Sequence, residues 1–151
     1  MFKTLATAAF AAAVALAAPA AVAAPEPEDP AKQTEWGLYL TAKEAYEMKQ
    51  DLGDEVFFVD VREPIEIMFT GFTDVVDVNV PFLMVNPAKW NPNKPKFAME
   101  PNPDFAEMVA AEMEARGLDE STPVIMMCRS GGSRGAPSAN ALSELGLEEV
   151  Y

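Results

Sequence analysis

The stretch Val124-Ile125-Met126-Met127-Cys128-Arg129-Ser130-Gly131-Gly132-Ser133-Arg134-Gly135-Ala136-Pro137 decides how this chain folds. Its first four residues are an apolar run of the kind that forms a buried strand. From Gly135 to Leu145 the sequence reads as a helix, with proline tolerated in the first turn. Cys128, the only cysteine, therefore falls between strand end and helix start. Backbone N–H groups lack partners there, and the helix dipole is positive. Both effects favour a thiolate over a thiol and favour a bound anion beside it. Gly131 and Gly132 let the loop curl with its amides inward, and Arg129 and Arg134 add charge-assisted donors. The pattern predicts Cys128 as a nucleophile, with Arg129, Ser130, Gly131, Gly132, Ser133 and Arg134 as the anion cradle around it. The alternative is a small buried hydrophobe at Cys128, followed by an ordinary solvated turn.

Upstream of this stretch, strands and helices alternate. Gly37 to Leu40 reads as a short strand. Thr41-Ala42-Lys43-Glu44 is a capping box opening a helix to about Gln50, and Gly53 ends it. Val56 to Asp60 is a continuous apolar run suited to a buried parallel strand. Pro64 to Phe69 fits a short helix closed by Gly71, and Val75 to Val80 reads as a strand ended by Pro81. Residues 85–103 carry Pro87, Pro92, Pro95 and Pro101, together with Trp90, Phe97 and three lysines. They read as a long loop: a lid, a docking loop for a protein partner, or a plain surface insertion. Asn102 caps the next helix, with Pro103 at its first position, and Gly117 stops it after Arg116. Glu149-Val150-Tyr151 reads as a final strand. The alternation predicts an α/β domain with a mostly parallel central sheet flanked by helices. Ligands of such sheets bind outside the carboxyl ends of the strands, where Cys128 falls.

The chain has 151 residues, 24 acidic against 11 basic, and no histidine. Without histidine, Ser-His and Cys-His catalysis are excluded, as are histidine-ligated zinc and copper sites. Neither a metal nor a cofactor is expected. Residues 1–23 read as an export signal: Lys3, an apolar run from Leu5 to Ala18, and the small-x-small site Ala21-Val22-Ala23. Its removal leaves 128 residues with a net charge of −14, because Lys3 is the only charge in the segment. That charge argues against nucleic acid and against anionic membrane surfaces as partners. The expected location is periplasmic or secreted. Residues 24–36 read as a flexible leader rich in proline and acidic residues, and 37–151 as a single domain. One cysteine cannot form an internal disulfide in an oxidising compartment, so it is either protected in a pocket or kept for its reactivity.

At this level of detail the chain resembles the rhodanese family. Leu40-Thr41-Ala42-Lys43-Glu44-Ala45 is similar to the family's opening strand-to-helix segment. Phe58-Val59-Asp60-Val61-Arg62-Glu63-Pro64 resembles its aspartate-x-arginine signature. Gly71 and Val78-Asn79-Val80-Pro81 resemble the pieces that follow, and Cys128-Arg129-Ser130-Gly131 resembles the catalytic loop. The resemblance implies a single rhodanese-like domain and a sulfurtransferase reaction. Cys128 would take a sulfane sulfur from a small anionic donor such as thiosulfate and pass it to a thiol or cyanide acceptor. Amides of Arg129 to Arg134 would cradle the donor, while Asp60 and Arg62 would serve structurally near the site. Two departures stand out. Five residues separate Cys128 from Arg134, a spacing that resembles the dual-specificity cell-cycle phosphatases and arsenate reductases sharing the rhodanese fold, although Met127 stands where those phosphatases often have histidine. The family also continues beyond its last strand into a Gly-Gly turn and a further helix, so the expected domain lacks that helix. A non-catalytic rhodanese-like binding module, docking a partner through residues 85–103, is the third expectation.

Overall fold

The computed structural model describes residues 24–151; the expected export signal lies outside them. The centre is a parallel sheet of three strands, β1 (Phe57–Asp60), β2 (Val78–Asn79) and β5 (Val124–Met127), in the order β2-β1-β5. Phe57 pairs with Val124 and Asp60 with Met127 across β1 and β5. Beyond β5, Val150 bridges Val124 in parallel, so the expected final strand does join the sheet, as a single bridge.

All four residues of β1 are buried, which is why its sequence shows no polar alternation. Their side chains still alternate between faces. Phe57 and Val59 enter one core with Phe105, Val109 and Met113 of α3 (Phe105–Ala115) and Ala139 of α4 (Gly135–Asn140). Phe58 enters the other core with Ile125 and with Ala45 of α1 (Ala42–Leu52). Helices thus cover both faces of the sheet, and the domain is α/β. Leu142, just past α4, is fully buried in the first core. Leu142→Ala is expected to lower unfolding stability by about 3 kcal/mol in urea titration, through lost burial plus an unfilled cavity.

Local sequence explains the helix ends. The Thr41 hydroxyl accepts from Glu44 N at 3.2 Å, and the Glu44 carboxylate accepts from Thr41 N at 2.7 Å, closing the capping box that opens α1. Gly53 ends that helix at a positive φ of 57°. The short helix α2 (Pro64–Thr70) opens with a second box, formed by Glu63 and Glu66, and closes at Gly71.

Several expectations are corrected. Residues 85–103 are no loop: β3 (Leu83–Asn91) and β4 (Lys96–Pro101) form an antiparallel hairpin, with its register shifting between Asn86 and Trp90. Gly37 to Leu40 form no strand; Gly37 turns the chain at a positive φ of 63°, bonded back to Thr34. The expected strand Val75–Val80 shrinks to two residues, because the Asp77 carboxylate itself accepts from Phe58 N at 2.7 Å, next to the Lys49 ammonium. Asn102 is not the cap residue of α3. Its amide instead donates to Pro81 O at 2.9 Å, while its Oδ1 accepts from Asp104 N, tying the base of the hairpin to the helix. The helix expected from Gly135 to Leu145 stops at Asn140 and resumes as a 3-10 turn over Ser143–Leu145. Asn140 also holds the leader, accepting from Glu35 N at 2.9 Å and donating to Gln33 O at 3.1 Å, and Trp36 donates to Leu147 O at 3.0 Å. Residues 33–36 are therefore anchored to the domain rather than free of it.

Candidate functional site

Cys128 follows β5 directly, at the carboxyl end of the parallel sheet. The ladder runs to the brink of it: Val61 N donates to Met127 O at 2.8 Å. Cys128 itself is half-buried and packs against the first core. Arg129, Ser130, Gly131 and Ser133 are exposed, Gly132 is half-buried and Arg134 is buried. Gly131 has a positive φ of 62°, the turn that lets the loop double back. Helix α4 is shorter than two full turns, so its dipole adds less to the loop than the sequence pattern promised.

A cavity of about 550 Å³ opens beside Cys128. Its lining is mostly apolar, with Leu40, Ala45, Phe58, Val75 and Ile125, and it includes Cys128 to Gly131 together with Tyr46 and Tyr151. Burial and a bond from its hydroxyl to Glu149 push Tyr151 up to about 12, so it remains a neutral phenol at ordinary pH. Two smaller cavities, of about 290 and 350 Å³, touch none of the loop residues. Nor does any residue of the hairpin line the Cys128 cavity, so the structure does not bring residues 85–103 to the cysteine.

The two arginines of the loop have different situations. Arg129 is exposed. Arg134 is paired: Nη2 donates to Glu66 Oε1 at 2.9 Å and Nη1 donates to Oε2. That bond is the main reason the Glu66 carboxyl titrates low and the Arg134 guanidinium high. A carboxyl lowered in the folded state stabilises the domain above its unfolded value near 4.5, and that contribution disappears as pH falls through the lower folded value. Glu66→Gln is expected to flatten the acid limb of the stability profile below about pH 4.5, measured as melting temperature against pH.

Asp60 and Arg62 form a buried clamp behind the loop. Arg62 Nε and Nη2 donate to the Asp60 carboxylate at 2.9 and 2.6 Å, and Arg62 N donates to Asp60 Oδ1 at 3.0 Å. The rest of the guanidinium reaches α2, with Nη1 donating to Thr70 Oγ1 at 2.8 Å and Nη2 to Gly71 O at 3.2 Å. The Asn79 amide donates to both Asp60 O and Arg62 O at 2.8 Å. The end of β1, the end of α2 and β2 are thereby fixed together. Among the described residues, no buried side-chain nitrogen or oxygen lacks a partner.

No family model matches this chain, and no curated protein sequence matches it.

Glu66 is the residue that sequence reasoning missed. The short helix that carries it was read, but its box with Glu63 was not, and its partner Arg134 lies 68 residues away. Among the described residues, no group of three or more cysteine or carboxylate side chains is placed to hold a metal ion. No described helix is long and apolar enough to cross a membrane.

Proposed function

We propose that the protein is an exported, single-domain sulfurtransferase of the rhodanese type, with Cys128 as its nucleophile. The observation that carries this reading is the position of Cys128, half-buried where β5 ends and among the residues lining the 550 Å³ cavity. A thiolate there meets the carboxyl end of a parallel sheet, the usual place for a ligand in such folds. The order of the sequence pieces adds weight: the Asp60–Arg62 segment, Asn79 and the Cys128 loop converge on one end of the sheet. Lys3 and the apolar run before Ala21-Val22-Ala23 support export, to the periplasm or the outside.

The reaction proceeds in two displacements. The Cys128 thiolate attacks the outer sulfur of thiosulfate; a new S–S bond forms, the old one breaks, and sulfite leaves with the bonding electron pair. A thiolate or cyanide then attacks the outer sulfur of the persulfide, restoring the Cys128 thiolate and releasing a new persulfide or thiocyanate. Arg129, exposed and among the residues lining the cavity, would supply a positive charge for the anionic end of the donor. The test is mass spectrometry of the protein after thiosulfate and removal of free donor. One added sulfur atom, mapped to Cys128 and discharged by cyanide, is the expected result; an unmodified Cys128 refutes the reading.

A second reading, a rhodanese-fold phosphatase or arsenate reductase, is favoured by one observation. Arg134 follows Cys128 at the spacing that suits a tetrahedral oxyanion, and it is buried at the base of the loop. Turnover of an aryl phosphate that vanishes with Cys128→Ser, without persulfide formation, would put this reading first.

A further inference from the structure

The strongest donor group of the loop already has an anion. Both terminal nitrogens of Arg134 are taken by Glu66, in the bidentate geometry that a phosphate-like group would need. Glu66 is not a loose surface carboxylate that can drift off. It sits in the first turn of α2, where Oε2 also accepts from Glu63 N at 3.3 Å. Thr70 and Gly71, at the other end of that helix, are held by Arg62. The carboxylate therefore comes from an element anchored independently of the Cys128 loop.

We propose that Glu66 is a specificity-determining residue: its carboxylate occupies the Arg134 fork and so disfavours phosphate- or arsenate-like oxyanions, whose central atom must reach the thiolate, while leaving Cys128 open to thiosulfate, which presents only its outer sulfur. This inference rests on the sulfur-transfer reading of Cys128. A phosphate- or arsenate-like dianion aimed at Arg134 would have to displace Glu66. That would leave a partly buried carboxylate without its partner and beside a second negative charge, and both changes are unfavourable. Attack on a sulfane sulfur needs no such exchange, because the anionic end of the donor can turn to Arg129, which forms no ion pair among the described residues. The lowered titration of Glu66 keeps the competitor ionised throughout the neutral range.

Inorganic arsenate provides the probe, read as protection of Cys128 from alkylation by iodoacetamide. Glu66→Gln is expected to lower the half-protecting arsenate concentration about tenfold, the effect of freeing one charge-assisted pair. Adding Arg134→Lys to that variant should remove the gain, because a point charge cannot replace the planar fork. In the parent background Arg134→Lys should leave the weak protection unchanged, since the fork is already filled. Glu66→Asp, which withdraws the carboxylate by one methylene, is the second variant and should show a smaller gain. Equal arsenate protection in the parent and in either folded Glu66 variant overturns the inference, as does a loss of protection on Arg134→Lys alone. Persulfide formation from thiosulfate is measured on the same samples. Its absence in the parent defeats the sulfur-transfer reading, whereas the arsenate comparison reports on Glu66 whether or not sulfur is transferred.

Discussion

Cys128→Ser is expected to abolish thiosulfate:cyanide sulfur transfer, to below the detection limit of a thiocyanate assay, while the protein remains folded. A serine hydroxyl is a far weaker nucleophile at neutral pH and cannot carry a persulfide. No other cysteine can substitute, because the chain has none. The structural perturbation is small: the residue is half-buried, and its side chain lies at the edge of the core rather than within it. Far-UV circular dichroism and a melting temperature within a few degrees of the parent are the matching controls. Residual thiocyanate production by a folded Cys128→Ser protein would rule out the persulfide route.

The largest effect on stability is expected at Asp60. Its carboxylate is fully buried and receives four hydrogen bonds from the backbone and guanidinium of Arg62. That contact is the first cause of the raised Arg62 titration, and without it the guanidinium is still protonated, because arginine stays charged at any ordinary pH. Asp60→Ala leaves a buried cation without its counter-ion, a change that costs about 3–5 kcal/mol in buried pairs. Against the roughly 5–15 kcal/mol that stabilises a domain of this size, the loss is a large fraction of the total. The clamp also fixes the end of β1 beside Met127, so the Cys128 loop should lose order together with the fold. Urea unfolding followed by tryptophan fluorescence measures the effect. Asp60→Ala combined with Arg62→Met should recover much of the loss, since no buried charge then lacks a partner. A deficit no smaller in the double variant than in Asp60→Ala would show that the pair stabilises by some route other than charge compensation.

The elements that could be read from the sequence are those whose signals are local. Thr41 with Glu44, and Gly53 after Leu52, mark α1 at both ends, and both devices are present in atomic detail. The unbroken apolar runs at Phe57 and Val124 belong to the strands buried on both faces. The hairpin escaped because its signals cancel. Most of β3 and β4 is exposed or half-exposed on both sides, so no apolar alternation marks either strand. Prolines count against a strand, yet here Pro87 sits within the register shift, Pro101 at the end of the ladder, and Pro92 and Pro95 in the turn, where the Asn91 side chain accepts from Asn93 N and Lys94 N. At the site, the cysteine, the glycines and the aspartate-x-arginine pair were visible as residue types in order. The Glu66–Arg134 contact was not, because no local pattern relates two residues brought together only by the packing of α2 against the Cys128 loop.

The order β2-β1-β5 also bears on how fast the domain can form. β1 finds β2 after one short helix, but its other neighbour arrives only after the hairpin and α3 have intervened. Closing that interval is a long-range event with a substantial entropic barrier, of the kind that slows parallel topologies. The hairpin forms from local contacts, on a microsecond scale for such units. With Phe82 stacked edge-to-face on Phe105 at 5.1 Å and Asn102 bonded to Pro81 at its base, it brings the exit of β2 next to the start of α3. The segment that looked like an ornament on the surface is thus a splint: it shortens the effective span across which the central strand must find its last partner.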